Sequence, residues 1–352
     1  MAPLSRREFL KLCAGSAAAI SLSGFLAPFM AEAVAAENPA VIWLQGAACT
    51  GCSVSLLNSV HPDIKEVLLN IISLKYHSTV MGAAGDLAIE TMFKVAEENK
   101  DKFFLVVEGA VPLKDGGIYC TIGETHDGQP ITFANLVSEL GSKAQAILCV
   151  GTCSAFGGIP AADPNPTGCV PVSEVIKSKP IVNIPGCPPH PDWIVGTIAH
   201  VLLYKEIPKL DAHGRPVMFF GGTIHDNCPR RQYFDNGIFA ENFSDPGCLL
   251  ELGCRGPIAH CDSSTRLWNG GVNWCIKAGA PCIGCTEPGF PQGPVYDRLP
   301  EIPLGPQIGV SADTVGIALG ALTLAGIGGH LIGNVAAGRI PPKHDKKEEG
   351  DK

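Results

Sequence analysis

Residues 225–285 read HDNCPRRQYFDNGIFAENFSDPGCLLELGCRGPIAHCDSSTRLWNGGVNWCIKAGAPCIGC and hold one histidine and seven of the chain's fifteen cysteines. Glycines and prolines recur throughout this stretch, and both interrupt regular helices and strands. We therefore predict an irregular segment without long helices or a regular sheet. Something other than an apolar core is expected to hold it together.

The histidine and the cysteines of this stretch follow metal-ligand spacings: His225-x2-Cys228, Cys248-x5-Cys254, Cys261, Cys275 and Cys282-x2-Cys285. Eight soft or borderline donors suit two sites of four ligands, and thiolate-rich sites hold iron-sulfur clusters or zinc. Clusters are the preferred interpretation. Zinc and disulfides stay open as alternatives, because the last Cys-x2-Cys pair also fits a zinc knuckle.

The bulk composition excludes several functional classes. At 352 residues the chain has room for two domains. Its net charge of -8 and its lack of a basic stripe argue against nucleic-acid binding. Fifteen cysteines are too many for idle cytosolic thiols, and a chain of this length does not need a disulfide scaffold. Most of the cysteines are therefore expected to be ligands.

The first 36 residues resemble an export leader. Residues 5–11 read SRREFLK, which matches a twin-arginine signal, and an apolar run leads to a candidate cleavage site at Ala33-Val34-Ala35. A chance basic start to a membrane anchor is the alternative. We predict that 1–36 is a signal peptide, and that the protein leaves the cytoplasm already folded around its cofactors.

The segment 37–205 alternates short apolar runs with helical patterns. Runs at 41–44, 103–107, 146–150 and 181–184 are predicted strands, and 53–60 and 64–72 are predicted helices. Strands that are apolar on both faces and separated by helices predict a parallel sheet covered on both sides. The predicted fold class is therefore α/β, with a doubly wound parallel sheet.

Cysteines follow three of the predicted strands directly: the pair Cys49-x2-Cys52, Cys153 and Cys187. The carboxyl ends of parallel strands meet at one edge of a sheet, so we expect four thiolates to converge there on a third site. The Cys-x2-Cys pair alone also occurs in thioredoxin-like redox sites. Glycines beside these cysteines allow close backbone approach to an inorganic core. A phosphate site is disfavoured because no glycine-rich phosphate motif follows the first strand.

The carboxyl end predicts a membrane anchor. A proline-rich linker, 291–314, precedes 315–338, which contains no charged side chain. Such a helix crosses a hydrocarbon core of roughly 30 Å at about 1.5 Å per residue. A buried core helix is the alternative. The basic tail, 339–352, supplies an inside-positive flank, while His330 and Asn334, with Gly316-x3-Gly320 and Gly329-x3-Gly333, favour a helix partner in the membrane.

Six motifs together resemble the small subunit of a nickel-iron hydrogenase over about residues 39–289: Cys49-Thr50-Gly51-Cys52, Gly151-Thr152-Cys153, Pro185-Gly186-Cys187-Pro188-Pro189-His190-Pro191, His225-Asp226-Asn227-Cys228, Leu252-Gly253-Cys254-Arg255-Gly256-Pro257 and Cys282-Ile283-Gly284-Cys285. The resemblance implies a flavodoxin-like domain at 37–205 and a cluster-binding domain at 206–290. It also implies a separate large subunit that carries the nickel-iron centre.

The resemblance implies three clusters. A proximal 4Fe-4S cluster would use Cys49, Cys52, Cys153 and Cys187, and a distal 4Fe-4S cluster would use His225, Cys228, Cys248 and Cys254. A medial cluster would use Cys261, Cys282 and Cys285. Most of the family has proline at position 275 and a medial 3Fe-4S cluster, whereas Cys275 resembles the nickel-iron-selenium branch, in which this cluster is 4Fe-4S. Gly51 and Gly158 stand where the oxygen-tolerant branch has extra cysteines, so ordinary oxygen sensitivity is expected.

Three other cysteines, Cys120, Cys149 and Cys169, lack partners at cluster spacing and are predicted to be buried thiols. Glu108 ends a predicted strand and is left out of the site, since a solvated carboxylate is as good an interpretation. We predict an electron-transfer subunit on the periplasmic side of the membrane, which passes electrons from hydrogen oxidation to a membrane cytochrome b. The alternatives are a small subunit of a complex I-like quinone reductase and a zinc- or disulfide-stapled envelope protein.

Overall fold

The computed structural model describes residues 38–339, except for 126, 292, 294, 297–301, 306–307 and 311. The predicted signal peptide, 1–36, and nearly all of the predicted tail lie outside the described residues. The chain divides into two compact units, Met1–Asp297 and Arg298–Lys352.

The first unit contains nine strands: β1 Ala40–Gln45, β2 Ser73–His77, β3 Phe104–Glu108, β4 Val111–Pro112, β5 Thr121–Glu124, β6 Pro130–Thr132, β7 Ala146–Val150, β8 Cys169–Val170 and β9 Ile181–Ile184, counted over the described residues. Its α-helices there are α1 Gly51–Leu57, α2 Ile64–Glu66, α3 Gly85–Glu98, α4 Phe133–Lys143, α5 Thr152–Phe156, α6 Val172–Val175, α7 Pro191–Tyr204, α8 Val217–Phe220, α9 Arg231–Asp235 and α10 Ser263–Arg266. Short π and 3-10 turns cover Val67–Ile71, Lys114–Gly117, Ile159–Ala161, His225–Asn227 and Leu250–Leu252.

Five strands form one parallel sheet in the order β2-β1-β3-β7-β9. This is the flavodoxin-like order, in which the direction of winding reverses between β1 and β3. The predicted α/β class and parallel sheet are confirmed. Strand β2 was not predicted. It lies at the edge of the sheet, and its polar residues Ser73, Lys75 and His77 interrupt the apolar run by which the other strands were recognised.

Both faces of the sheet are covered, as the apolar strands predict. Val41, Trp43 and Val106 point to one face, where they pack with α7, while Ile42 and Leu105 point to the other, under α3 and α4. Alternate residues of each strand therefore belong to two separate apolar clusters. The α7 side also receives buried residues from the irregular, cysteine-rich segment 206–290: Phe219, Phe220, Leu249, Leu252, Trp274 and Ile276.

The cysteine-rich segment is irregular, as its glycines and prolines predict, with helices of only four or five residues. The expectation that no apolar core holds it is wrong, because its aromatic side chains join the core of the sheet domain. A buried ion network adds to this. Arg215 is 2 % exposed and bonds Asp211 Oδ2 at 2.7 Å, Glu287 Oε1 at 2.9 Å and the Thr286 carbonyl at 3.0 Å.

The second unit contains an antiparallel pair, β10 Ile302–Gly305 and β11 Ile308–Val310, and the helix α11 Ala312–Ala336. Within α11, Thr314–Ala336 has a mean hydropathy of 1.8, and none of its most apolar window is buried inside the protein. By length and composition this helix is a candidate membrane span. The lack of buried residues in that window disfavours the alternative of a buried core helix.

We predict that Arg215→Ala destabilises the first unit by about 3–5 kcal/mol, because it leaves Glu287 and Asp211 without their buried cation. The measurement is the thermal unfolding midpoint of the purified protein. Lys177→Ala is the matched control, since its ion pair with Glu174 is exposed and is worth about 1 kcal/mol or less. Equal decreases in the unfolding midpoint for both variants would show that the ion pairs of Arg215 with Asp211 and Glu287 do not stabilise the first unit.

Candidate cluster sites

The first set of cysteines lies at the carboxyl edge of the sheet. Cys49 and Cys52 flank the start of α1 after β1, Cys153 is in α5 after β7, and Cys187 follows β9. The other three thiols all act electrostatically on Cys52. The structure thus brings together the four residues that strand-end reasoning predicted to converge.

Glycines make this convergence possible. A Cβ atom at Gly151 would stand 2.5 Å from Cys52 Sγ, and one at Gly158 would stand 3.0 Å from Cys153 Sγ. Both residues also have positive φ angles, which side chains rarely adopt. The loops therefore approach the sulfurs more closely than any other residue type would permit.

Glu108 belongs to this site, although it was left out of the prediction. It is 1 % exposed at the end of β3, and its carboxylate accepts the Cys52 N–H at 3.0 Å and the Ser53 N–H at 3.3 Å. The Trp43 indole N–H also donates to it, at 3.0 Å. The interpretation as a solvated carboxylate is wrong. Strand β3 lies between β1 and β7, each of which is followed by cysteines of this set, and the amides at the start of α1 cover its end. That position in the sheet was the available signal.

The second set lines one cavity in the irregular segment. His225, Cys228, Cys248 and Cys254 all face it, together with apolar residues such as Ile276. His225 is half-buried in a 3-10 turn, and its ring meets the Phe234 ring edge-on with centroids 4.6 Å apart. Burial and the nearby Arg231 lower the pKa of His225, which favours the neutral imidazole that a metal needs.

The third set lies between the other two. Cys261 and Cys282 are buried, and both are within electrostatic range of Cys285. Cys275 acts on Cys254 and on Cys285 from a more exposed position. Cys275 therefore lies near one cysteine of the second set and one of the third.

The backbone N–H of the residue two positions later lies near five of the eleven sulfurs in these sets. The Gly284 N–H donates to Cys282 Sγ at 3.4 Å. For Cys228, Cys248, Cys254 and Cys261, the N–H of the residue two positions later opposes the effect of burial on the thiol pKa. Such donors favour the thiolate form and orient it. The turn after each of these five cysteines thus places an N–H near the sulfur, which favours the thiolate that ligation requires.

The thiols are otherwise in an unfavourable environment for ionisation. Burial raises the pKa of Cys153 to about 11 and the pKa of Cys285 to about 12. For Cys52, burial acts first, and then the charges of Glu108 and of the neighbouring thiols also raise the pKa. Ligation requires thiolates. These sets therefore suit a cationic core that replaces their protons, such as the iron of a cluster.

A single zinc ion fits less well. It would need thiolate sulfurs within about 4 Å of one another, given Zn–S bonds of about 2.3 Å. Over the described part of the chain, no three His, Cys, Asp or Glu side chains converge on a position for one ion.

The three sets are linked in series. The Cys187 N–H of the first set lies close enough to the Cys285 sulfur of the third to oppose in part the rise in the pKa of that thiol. The Cys282 N–H of the third set donates to the Cys254 sulfur of the second at 3.3 Å. The order through space is therefore strand-end set, buried middle set and histidine-containing set.

The remaining three described cysteines lie outside these sets. Cys149 is fully buried in β7, and burial raises its pKa to about 12. Cys169 is buried and Cys120 is half-buried, and the two are near enough that Cys169 raises the pKa of Cys120 in addition to burial. For Cys149 and Cys169 the prediction of buried thiols is confirmed.

Two family models match adjoining parts of the chain. Residues 49–201 match the NADH ubiquinone oxidoreductase 20 Kd subunit, and residues 220–296 match the carboxyl-terminal domain of the NiFe/NiFeSe hydrogenase small subunit. The boundary falls between the sheet domain and the irregular segment.

Similar proteins support the second of these families over nearly the whole chain. The small subunit of a periplasmic NiFeSe hydrogenase from Desulfomicrobium baculatum is 49% identical, over 82% of this chain and 97% of its own length. The uptake hydrogenase small subunit of Azotobacter vinelandii is 41% identical, over 93% and 91%. A structure of the D. baculatum hydrogenase matches with a TM-score of 0.72, over 75% of this chain and all of that chain. The chain therefore belongs to the family of NiFe/NiFeSe hydrogenase small subunits.

Proposed function

We propose that this chain conducts electrons through three iron-sulfur clusters, from a nickel-iron or nickel-iron-selenium large subunit to a membrane cytochrome b. Small subunits of this family are electron-transfer subunits that act with a large subunit, so the hydrogen chemistry lies outside this chain. The observation that carries the cluster assignment is the series arrangement of three donor sets.

The strand-end set would hold a proximal 4Fe-4S cluster on Cys49, Cys52, Cys153 and Cys187. The cavity set would hold a distal 4Fe-4S cluster on His225, Cys228, Cys248 and Cys254. The middle set would hold a medial 4Fe-4S cluster on Cys261, Cys275, Cys282 and Cys285, with 3Fe-4S as the alternative. Such clusters, when bound, would carry one electron at a time, so the two electrons released from each hydrogen molecule would leave singly.

We further propose that the mature protein faces the periplasm and is anchored by α11. The relative from D. baculatum is periplasmic by name, residues 5–11 match a twin-arginine signal, and α11 is long and apolar enough to cross a membrane. The cytochrome would pack against the face of α11 that carries His330 and Asn334, which are four residues apart and therefore on one side of the helix.

A complex I-like quinone reductase is the second candidate, since residues 49–201 match a family model from that enzyme. That match covers only the sheet domain. The irregular segment matches the hydrogenase family instead, and its donors form two of the three sets. The hydrogenase function therefore explains more of the chain.

The medial site is tested by Cys275→Pro. This change removes the fourth thiolate, so a medial 4Fe-4S cluster should become 3Fe-4S, with a new electron paramagnetic resonance signal in the oxidised enzyme. Cys120→Ala removes a thiol outside the three sets and should leave the spectrum unchanged. A stoichiometric 3Fe-4S signal in anaerobically purified wild-type enzyme would contradict the assignment.

The distal site is tested by His225→Ala. Loss of this ligand should slow hydrogen-dependent dye reduction by about tenfold or more, and should affect hydrogen-deuterium exchange at the active site much less. His200→Ala is the control, because this partly buried histidine on α7 is outside the donor sets. Equal losses of both activities would mean that His225 is structural.

The proximal edge is the expected contact with the large subunit. Exposed apolar side chains surround it, including Val54 at 52 % and Val60 at 47 %, and both line a groove that reaches Gly51. A charge at Gly51 itself would also disturb ligation, because a Cβ there stands 3.0 Å from Cys49 Sγ. Val54 is therefore the cleaner position for a test.

We predict that Val54→Asp abolishes co-purification with the large subunit, because a permanent apolar interface does not accommodate an unpaired carboxylate. Leu87→Asp is the matched control. Leu87 is 64 % exposed on α3, which packs on the opposite face of the sheet from α1. Normal assembly of the Val54 variant, with normal hydrogen uptake, would place the interface elsewhere.

A further inference from the structure

We propose that Thr152 is a positioning residue for electron transfer between the proximal and medial clusters. The proposal rests on the ligands assigned under the proposed function. Thr152 is 1 % exposed and immediately precedes Cys153 at the carboxyl end of β7. Its side chain is a buried polar group at the junction between the sheet domain and the irregular segment.

The hydroxyl of Thr152 makes two hydrogen bonds of opposite polarity. It accepts the Gly186 N–H at 2.8 Å, and it donates to the Cys285 carbonyl oxygen. Gly186 immediately precedes Cys187, and Cys285 belongs to the medial set. One hydroxyl therefore joins the loops of two proximal ligands to a medial ligand.

At the same junction the Cys187 backbone N–H lies near the Cys285 sulfur. This contact is the direct link between the proximal and medial sets, and Thr152 holds the groups on both sides of it. A hydrogen bond to a cluster sulfur stabilises the reduced form and raises the reduction potential. Thr152 should thus control both the separation of the two sets and the medial potential.

The other junction is built differently. There the Cys282 N–H donates to Cys254 Sγ at 3.3 Å, and the Arg255 N–H donates to the Cys282 carbonyl at 2.7 Å. Both of these bonds come from backbone donors. A change at Thr152 should therefore act on the proximal–medial step and spare the medial–distal one.

The test uses Thr152→Val in the complete two-subunit enzyme. Valine keeps the shape of threonine but can neither accept from Gly186 nor donate to Cys285. In a redox titration followed by electron paramagnetic resonance, we expect a negative shift of the medial midpoint potential and no shift of the distal one. Hydrogen-dependent dye reduction should fall by about tenfold, and by more than hydrogen-deuterium exchange falls.

Two variants separate positioning from a general loss of packing. Thr152→Ser keeps the hydroxyl, so the midpoint potential of the medial cluster should stay at its wild-type value. Thr197→Val is the matched control, because Thr197 is equally buried and its hydroxyl donates only within α7, to the Trp193 carbonyl at 2.6 Å. If the Val variant fails to assemble, Thr152→Ala removes the same hydroxyl with less bulk. A wild-type medial potential in the hydroxyl-free enzyme, or an equal shift in Thr197→Val, would overturn the proposal.

Failure of the ligand assignment would look different. Cys285→Ala should lose the medial cluster, as measured by iron content and spectroscopy. If Cys285→Ala keeps that cluster, the assignment of the medial site is wrong. If it loses the cluster while Thr152→Val keeps wild-type potentials, only the role of Thr152 is wrong.

Discussion

The crowding of cysteines that would repel one another once deprotonated is the constraint on which this structure depends. At the edge of the sheet, four sulfurs and the Glu108 carboxylate lie close together; Cys49 is exposed, whereas burial raises the pKa of Cys52, Cys153 and Cys187. Deprotonated and without a counter-charge, such a group would push its loops apart. If iron is bound, its positive charge would neutralise the negative charge of the thiolates and remove this repulsion. Folding around the cofactor in the cytoplasm and export in the folded state, as the leader predicts, are consistent with this dependence.

Local backbone geometry places N–H donors and close loop contacts around the sulfurs. Turns after five of the cysteines place an N–H near the sulfur, and glycines such as Gly151 let a second loop come within contact of Cys52. Glu108 fixes the start of α1 through the Cys52 and Ser53 amides while its own charge disfavours the Cys52 thiolate. The Glu108 carboxylate therefore orients the start of α1, but its negative charge destabilises the Cys52 thiolate. A bound cationic iron-sulfur core would offset this destabilisation.

The irregular segment and the sheet domain are parts of one packed unit. Aromatic residues of the segment enter the core on the α7 side of the sheet, and Arg215 bridges the carboxylates of Asp211 and Glu287 where the segment begins and ends. This packing gives the three donor sets fixed positions in series. Electron transfer needs such rigidity, because tunnelling between centres falls steeply with their separation.

The sequence by itself determined the types of donors, their spacing and order along the chain, the parallel sheet and the apolar helix at the carboxyl end. These follow from local patterns: cysteines at strand ends, glycines beside them, and apolar periodicity. Strand β2, the burial of Glu108 and the apolar core beneath the cysteine-rich segment were decided only by the tertiary structure. The resemblance implied the order of the sets in space, but local patterns did not, because that order depends on contacts between distant positions. Arg215 and Glu287 are 72 residues apart, and Thr152 and Cys285 are 133 apart. No local pattern specifies which distant loop will meet a given side chain, since that choice follows from how the whole chain packs.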